Sequence, residues 1–268
     1  GASMISLEQR WSRSDTVDVA YYRRSSDHGR TWGEPETRIT GERRPEGMLR
    51  RHPRGFWVDP QEGKAIELWT EGVLPSDDPL EGLRQWNIYY RQVGSDVALP
   101  VVHRGPEFDE SHPLPGVWRG KNCDMLGDQC SQPVNMRDGR ILLPVPITPL
   151  APDGSLYNPG AGYTWTDAAV LTGRWAGDRI EWELSDLVRG DPARTTRGMV
   201  EPTLAELAGG RLLMVMRGSN DRNPDLPAHK WAVWSEDGGN SWTQPEPWTD
   251  TRGQTLYSRS ACSLLLAT

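Results

Sequence analysis

One octapeptide occurs twice in this chain. Ser25-Ser26-Asp27-His28-Gly29-Arg30-Thr31-Trp32 lies near the start, and Ser235-Glu236-Asp237-Gly238-Gly239-Asn240-Ser241-Trp242 near the end. The shared pattern is S-x-D-x-G-x-S/T-W, and each position has a physical reason. Serine and aspartate side chains hydrogen-bond backbone groups within a turn. Glycine takes a backbone conformation that other residues resist. Tryptophan has the bulk to plug a gap between neighbouring sheets. The octapeptide is a staple for a hairpin turn, so Asp27 and Asp237 read as structural groups and not as catalytic acids. Two such staples constrain the chain to hairpins in repeated units. The abundance of Trp, 13 against 2 Phe, suits a tryptophan-stapled repeat better than a generic sandwich.

The hairpins also repeat. Residues 203–207 are half apolar, Gly209-Gly210 supplies a turn, and residues 211–216 form an apolar run that reads as a buried strand. Glu201 stands at the mouth of the first strand and Arg217 at the far end of the second. A tight antiparallel turn brings those ends together, so the pair is expected at one rim of a sheet. Upstream, Gln132-Pro133 stands where Glu201-Pro202 does, and Gly139-Arg140 where Gly210-Arg211 does. Units at this spacing indicate a repeat architecture.

In chain order, residues 16–24 and 36–40 flank the first octapeptide as the last two strands of a blade, a half-blade. Residues 55–59, 65–70, 86–92 and 99–104 give a second unit. Residues 132–136, 141–148, 168–175 and 180–184 give a third, with Pro144 and Pro146 awkward inside a strand. Residues 202–248 make a fourth, and residues 257–266 start a fifth. Residues 74–82, 107–128 and 149–166 are loops, and long loops often carry function.

The octapeptide resembles the Asp-box of the sialidase-like (BNR-repeat) β-propellers. The resemblance implies one all-β domain over residues 1–268, a sialidase-like propeller of four-stranded antiparallel blades. The strand count then reads as an incomplete propeller, with about four blades of the six or so expected. It implies ligand binding at the ends of the inner strands. In sialidases a glutamate before the inner strand deprotonates a nucleophilic tyrosine, and an arginine at the end of the next strand belongs to a carboxylate-binding triad. Glu201 and Arg217 fit both places. The chemistry is coherent, because tyrosine near pKa ~10 needs a base at neutral pH and arginine grips a carboxylate in a fork. A salt bridge that merely closes the hairpin is the competing reading. Asp15 matches the acid aspartate, with Asp18 an ordinary strand residue beside it. The family's Arg-Ile-Pro motif is absent, and its other triad arginine and its tyrosine would follow Thr268. Little sialidase turnover is therefore expected of these 268 residues.

The same geometry names Gln132, Tyr257 and Arg259 as further substrate-binding candidates. So are Asn122, Asp124 and Gln129, whose loop feeds an inner strand with groups that suit sugar hydroxyls. A solvated loop is the alternative. His28, His52, His103 and His229 each lie near a turn or strand end and read singly as structural or solvated. The expected function is a sialidase-like glycoside hydrolase on an acidic, carboxylate-bearing sugar. The alternatives are a propeller polysaccharide lyase on a uronate, using His or Tyr, and a noncatalytic carbohydrate-binding propeller.

The formal net charge of −7 argues against nucleic acid as a partner. No apolar run approaches the ~20 residues of a membrane helix, so no membrane partner is expected. Cys123, Cys130 and Cys262 form neither a disulfide framework nor a zinc pattern. No metal or other cofactor is expected. The partner is an acidic glycan, with self-association or a second chain completing the propeller as a further expectation. No signal-peptide pattern follows Met4, which leans the location to the cytoplasm.

Overall fold

The computed structural model describes residues 3–13, 16–78, 86–101, 123–124 (backbone only), 126–127, 131–149, 151–153, 155–162, 164–220, 223 and 225–257. Their regular secondary structure is entirely β, in four antiparallel sheets. The chain divides into two compact units, Gly1–Ala98 and Leu99–Thr268.

In the first unit, β1 (Met4–Arg13), β2 (Thr16–Ser25) and β3 (Glu36–Ile39) pair in chain order. Two strands were expected here, and β1 adds a third. Only Ile5, Ser6, Leu7 and Gln9 of β1 are even partly buried, so it has almost no apolar face to betray it. It is held by a long ladder to β2. The next sheet runs β4 (Gly41–Arg44), β5 (Gly47–Asp59), β6 (Lys64–Leu74), β7 (Trp86–Gln92) and β8 (Leu99–Pro100), with the unit boundary at β8. β5 begins eight residues earlier than the sequence suggested, at 47 instead of 55. Pro53 and three arginines hide its first half. The strand accepts Pro53 because its register with β6 shifts between Pro53 and Gly55. Along β6, Ile66, Leu68 and Thr70 are fully buried. Strand alternation turns Glu67, Trp69 and Glu71 to the opposite face.

In the second unit, β9 (Cys123–Asp124) and β10 (Val134–Asn135) both pair with β11 (Ile141–Thr148). The sheet continues through β12 (Asp167–Ala176) to β13 (Arg179–Leu184). β11 is buried along its whole length. Its two prolines need no bulge, since the register with β12 is unbroken from Ile141 to Ile147. β10 covers positions 141–142 and β9 covers 147–148, so Pro144 and Pro146 fall in the gap between them. Both have the same parity and present the missing N–H to that gap. The last sheet is β14 (Val200–Glu206), β15 (Leu212–Arg217), β16 (Lys230–Ser235) and β17 (Glu246–Pro247), in order.

One apolar cluster joins these two sheets. It includes Leu142 and Val170 from one and Leu204, Met214, Met216, Trp231 and Val233 from the other, and Trp242 packs against it. Trp242 thus does what the octapeptide logic demanded of it. The two octapeptide turns make the same bonds. Ser25 and Ser235 Oγ donate to Asp27 and Asp237 Oδ1, each at 2.8 Å. The same oxygens accept from the N–H of Gly29 and Gly239. Thr31 and Ser241 hydroxyls donate to the second aspartate oxygen. These bonds to the charged form hold both carboxyls down at about 2, led by Thr31 in one turn and Ser241 in the other.

Candidate functional site

The register between β14 and β15 breaks between Val200 and Thr203, and Glu201 and Pro202 occupy the break. Pro202 has no N–H for the ladder, and a bulge is where a strand tolerates it. Glu201 has φ 52°, a left-handed conformation that costs a non-glycine residue roughly 1–3 kcal/mol. The loop before β10 is packed onto this break. A Cβ at position 127 would lie 2.6 Å from Glu201 Cα, so the approach requires Gly127. Ser131 Oγ donates to the Pro202 carbonyl at 2.8 Å and accepts from the Gly127 N–H at 3.2 Å.

Arg217 ends β15 opposite Val200. Its Nη1 donates to Glu201 Oε1 at 2.9 Å, with the side chains 15% and 13% exposed. The two ends of the hairpin therefore meet as their sequence positions required. Leu212, Met214 and Met216 enter the cluster between the sheets. Alternation puts Arg217, with Leu213 and Val215, on the other face of β15.

The remaining candidates divide. Gln132 is half-buried and directly follows Ser131, beside the Glu201–Pro202 break. Asp124 has its backbone in β9 opposite Ile147. Asp15, Asn122, Gln129 and Arg259 lie outside the described residues, as does His103. Asp18 accepts from the Ser12 N–H at 2.6 Å and pairs with Arg50, an engaged strand residue. Tyr257 is 64% exposed and forms an isolated bridge with His229, the rings 5.2 Å apart. Residues 258–266, which were to continue that strand, lie outside the described residues. His52 packs on Trp86, and His28 is exposed in its turn. His229 also meets the edge of Trp231, and its Nδ1 is buried with no hydrogen-bond partner among the described residues. Burial, and then the charge of Arg194, hold the His229 imidazole below its ordinary pKa. Among the described residues no cluster of three His, Cys, Asp or Glu side chains could hold a metal ion.

Sequence reasoning missed a second carboxylate centre, in the first unit. Glu67 is 6% exposed. It accepts from Tyr22 Oη at 2.6 Å, Arg38 Nη1 at 3.0 Å and Arg91 Nη2 at 2.6 Å. Burial, and then the neighbouring Glu67 charge, push the Tyr22 hydroxyl above its ordinary range, so it stays a donor. No local signal was available, because the donors to Glu67 come from β2, β3 and β7 and residues 66–71 show no regular polar pattern.

No family model and no curated protein matches the sequence. The structure is similar to that of a protein of unknown function from Dyadobacter fermentans, with TM-score 0.55 and 15% identity over 91% of this chain and 65% of that one. It is similar to a Trypanosoma rangeli sialidase, solved with a difluoro sugar acid, with TM-score 0.51 and 14% identity over 90% of this chain and 35% of that one. It is similar to an ulvan lyase presented as a new family of polysaccharide lyase, with TM-score 0.50 and 12% identity over 91% and 52%. The fold is all-β and of the β-propeller type. Its blades are the antiparallel sheets described above, and the chain spans less than two thirds of each of these proteins.

Proposed function

We propose that this propeller acts on an acidic sugar as a sialidase-like glycoside hydrolase. Arg217 binds the sugar carboxylate and Glu201 serves as the base partner of the nucleophile. Gln132 contributes a polar contact beside them. The observation that carries the reading is the Glu201–Arg217 contact at 2.9 Å on a left-handed, bulged backbone. A residue that merely closes a hairpin has no need of that strain, whereas strain at a binding position is common. The sialidase among the similar structures, solved with a sugar acid, supports the same direction.

A second reading has its own observation. His229 and Tyr257 are in ring contact, and the His229 imidazole is biased toward its neutral, basic form. On a uronate, His229 would take the proton α to the carboxylate and the bond to the leaving oxygen would break. Tyr257 would protonate that oxygen, leaving an unsaturated ring. The ulvan lyase among the similar structures gives this reading company.

Product analysis separates the readings. With α2,3-sialyllactose and a polyuronate as substrates, hydrolysis releases a free acidic sugar with no new ultraviolet absorbance. Lyase action produces an absorbing unsaturated product. In a chain that also carries the second triad arginine and the tyrosine, binding without turnover leaves both glycans intact and removes the enzymatic reading. Loss of turnover in Glu201→Gln, with an unchanged melting temperature, supports the hydrolase.

A further inference from the structure

The first unit contains a cleft of about 420 Å3, between β2 and β3 on one side and β5, β6 and β7 on the other. None of the candidates expected from sequence lines it. In the second unit an apolar cluster fills the junction of two sheets. Here the corresponding faces carry aromatic rings, arginines and carboxylates instead. Trp69 and Tyr89 are direct cross-strand partners, half-buried, with rings 14° from parallel and centroids 5.8 Å apart.

Carboxylates orient every arginine of this lining. Arg51 donates through Nε to Glu71 Oε2 at 2.7 Å and through Nη2 to Glu42. Trp69 Nε1 donates to the same Glu71 oxygen at 3.3 Å. Arg38 uses Nε on Glu36 and Nη1 on Glu67. Arg91 uses Nε and Nη2 on Glu67. One terminal nitrogen of each, Arg38 Nη2, Arg51 Nη1 and Arg91 Nη1, has no protein acceptor among the described residues. The lining holds three arginines against Glu67 and Glu71, and Glu36 and Glu42 outside it pair with Arg38 and Arg51. The volume lies in the ~300–1,000 Å3 range of small-molecule sites.

We infer that this cleft binds an anionic sugar ring, a pyranose carrying a carboxylate or a sulfate. The apolar C–H face of the ring lies against Trp69 and Tyr89. The anion meets the spare guanidinium nitrogens, which are already fixed in place, so little ordering is needed on binding. Glu71 Oε1, which accepts no hydrogen bond among the described residues, takes a sugar hydroxyl. The binding is separate from the chemistry assigned to Glu201 and Arg217.

The test is calorimetric titration of the full chain with tetragalacturonate, a sulfated carrageenan tetrasaccharide, cellotetraose and uridine monophosphate. At least one anionic tetrasaccharide binds, with an affinity that falls as salt is raised. Cellotetraose binds about tenfold more weakly or worse. Which of the two anionic probes is tighter tells carboxylate from sulfate. Trp69→Ala weakens binding about tenfold, and Trp69→Phe, which keeps a ring, stays within about threefold. Should Trp69→Ala not fold by thermal melt, Tyr89→Ala takes its place with the same expectation. Repeating the Trp69→Ala comparison in an Arg217→Ala background separates the cleft from the other site, and the difference persists there. The proposal is overturned if neither anionic probe binds. It is equally overturned if cellotetraose binds as well as they do, if removing the ring changes nothing, or if the nucleotide binds tighter than both.

Discussion

Glu67 is buried and Glu201 largely so, and both are held by arginine, yet they are built in opposite ways. Glu67 sits between Ile66 and Leu68 in the unbroken ladder from β6 to β7, and collects a phenol and two guanidiniums. Its backbone is ordinary strand. Glu201 sits where the ladder fails, at φ 52°, with Arg217 as its ion-pair partner. A carboxylate with several charged donors on a relaxed backbone is how a fold satisfies a buried charge. A carboxylate presented on a strained bulge is how a fold aims a side chain. The difference separates a charge that anchors two sheets, and incidentally shapes a cleft, from one that the proposed function assigns to a ligand.

The largest expected effect tests the anchoring half. Glu67→Ala leaves Arg38 and Arg91 facing each other and Tyr22 without its acceptor. It should cost about 3–5 kcal/mol in denaturant unfolding, the range for breaking a buried ion pair. A loss below about 1 kcal/mol would show that Glu67 is no anchor and would bring the two centres into one class.

Next comes the aimed half. Arg217→Ala should weaken acidic-ligand binding by about 2–5 kcal/mol while shifting the melting temperature little. If Arg217 only closes the hairpin, the order reverses. Stability then falls by about 1–3 kcal/mol, because Glu201 loses its partner, and affinity is unchanged. A titration and a thermal melt of the same variant decide between the two.

The ease with which these centres could be read in the sequence also differs, for a physical reason. Glu201 and Arg217 were legible because both lie at the ends of one hairpin, sixteen positions apart, and local turn chemistry carries that information. The octapeptide turns were legible for the same reason, every partner lying within a few residues. The Glu67 centre draws Tyr22 from 45 positions away and Arg91 from 24, so no local pattern announces it. β1 was missed because an edge strand with little buried surface has no periodicity to read. The first half of β5 was missed because Pro53 argues against a strand unless the bulge is known. The left-handed Glu201 was also invisible, since nothing in Val-Glu-Pro-Thr signals positive φ.

The strain at Glu201 can be probed without touching it. Gly127→Ala places a methyl group 2.6 Å from Glu201 Cα, and the partner atom is backbone that cannot swing away. Overpacking of this kind costs about 1–3 kcal/mol. If the bulge serves the ligand, the same change lowers acidic-ligand affinity, because Glu201 and Arg217 are displaced together. Unfolding in denaturant and ligand titration report the two effects separately. Reduced stability with full affinity would place the strained backbone outside the site.

The smallest effect calibrates the other three, because it concerns a carboxylate whose partners are all local. Asp237 accepts from the hydroxyl and the N–H of Ser241 and from the hydroxyl of Ser235. Asp237→Ala should cost about 1–2 kcal/mol, comparable to losing a helix cap. Its pH dependence has a definite sign. The folded carboxyl titrates at about 2 against an ordinary 3.8, so the fold favours the ionised form. The stabilisation is complete above pH ~4 and is lost as the pH falls from there toward 2. Asp237→Asn should flatten that part of the stability profile while leaving the profile above pH 5 parallel to the original. Urea midpoints measured between pH 2.5 and 6 would show this. An unchanged acid slope in the variant would mean the turn is held by its glycine and tryptophan alone. Bonds within eight residues would then be too weak a standard for judging Glu67 or Glu201.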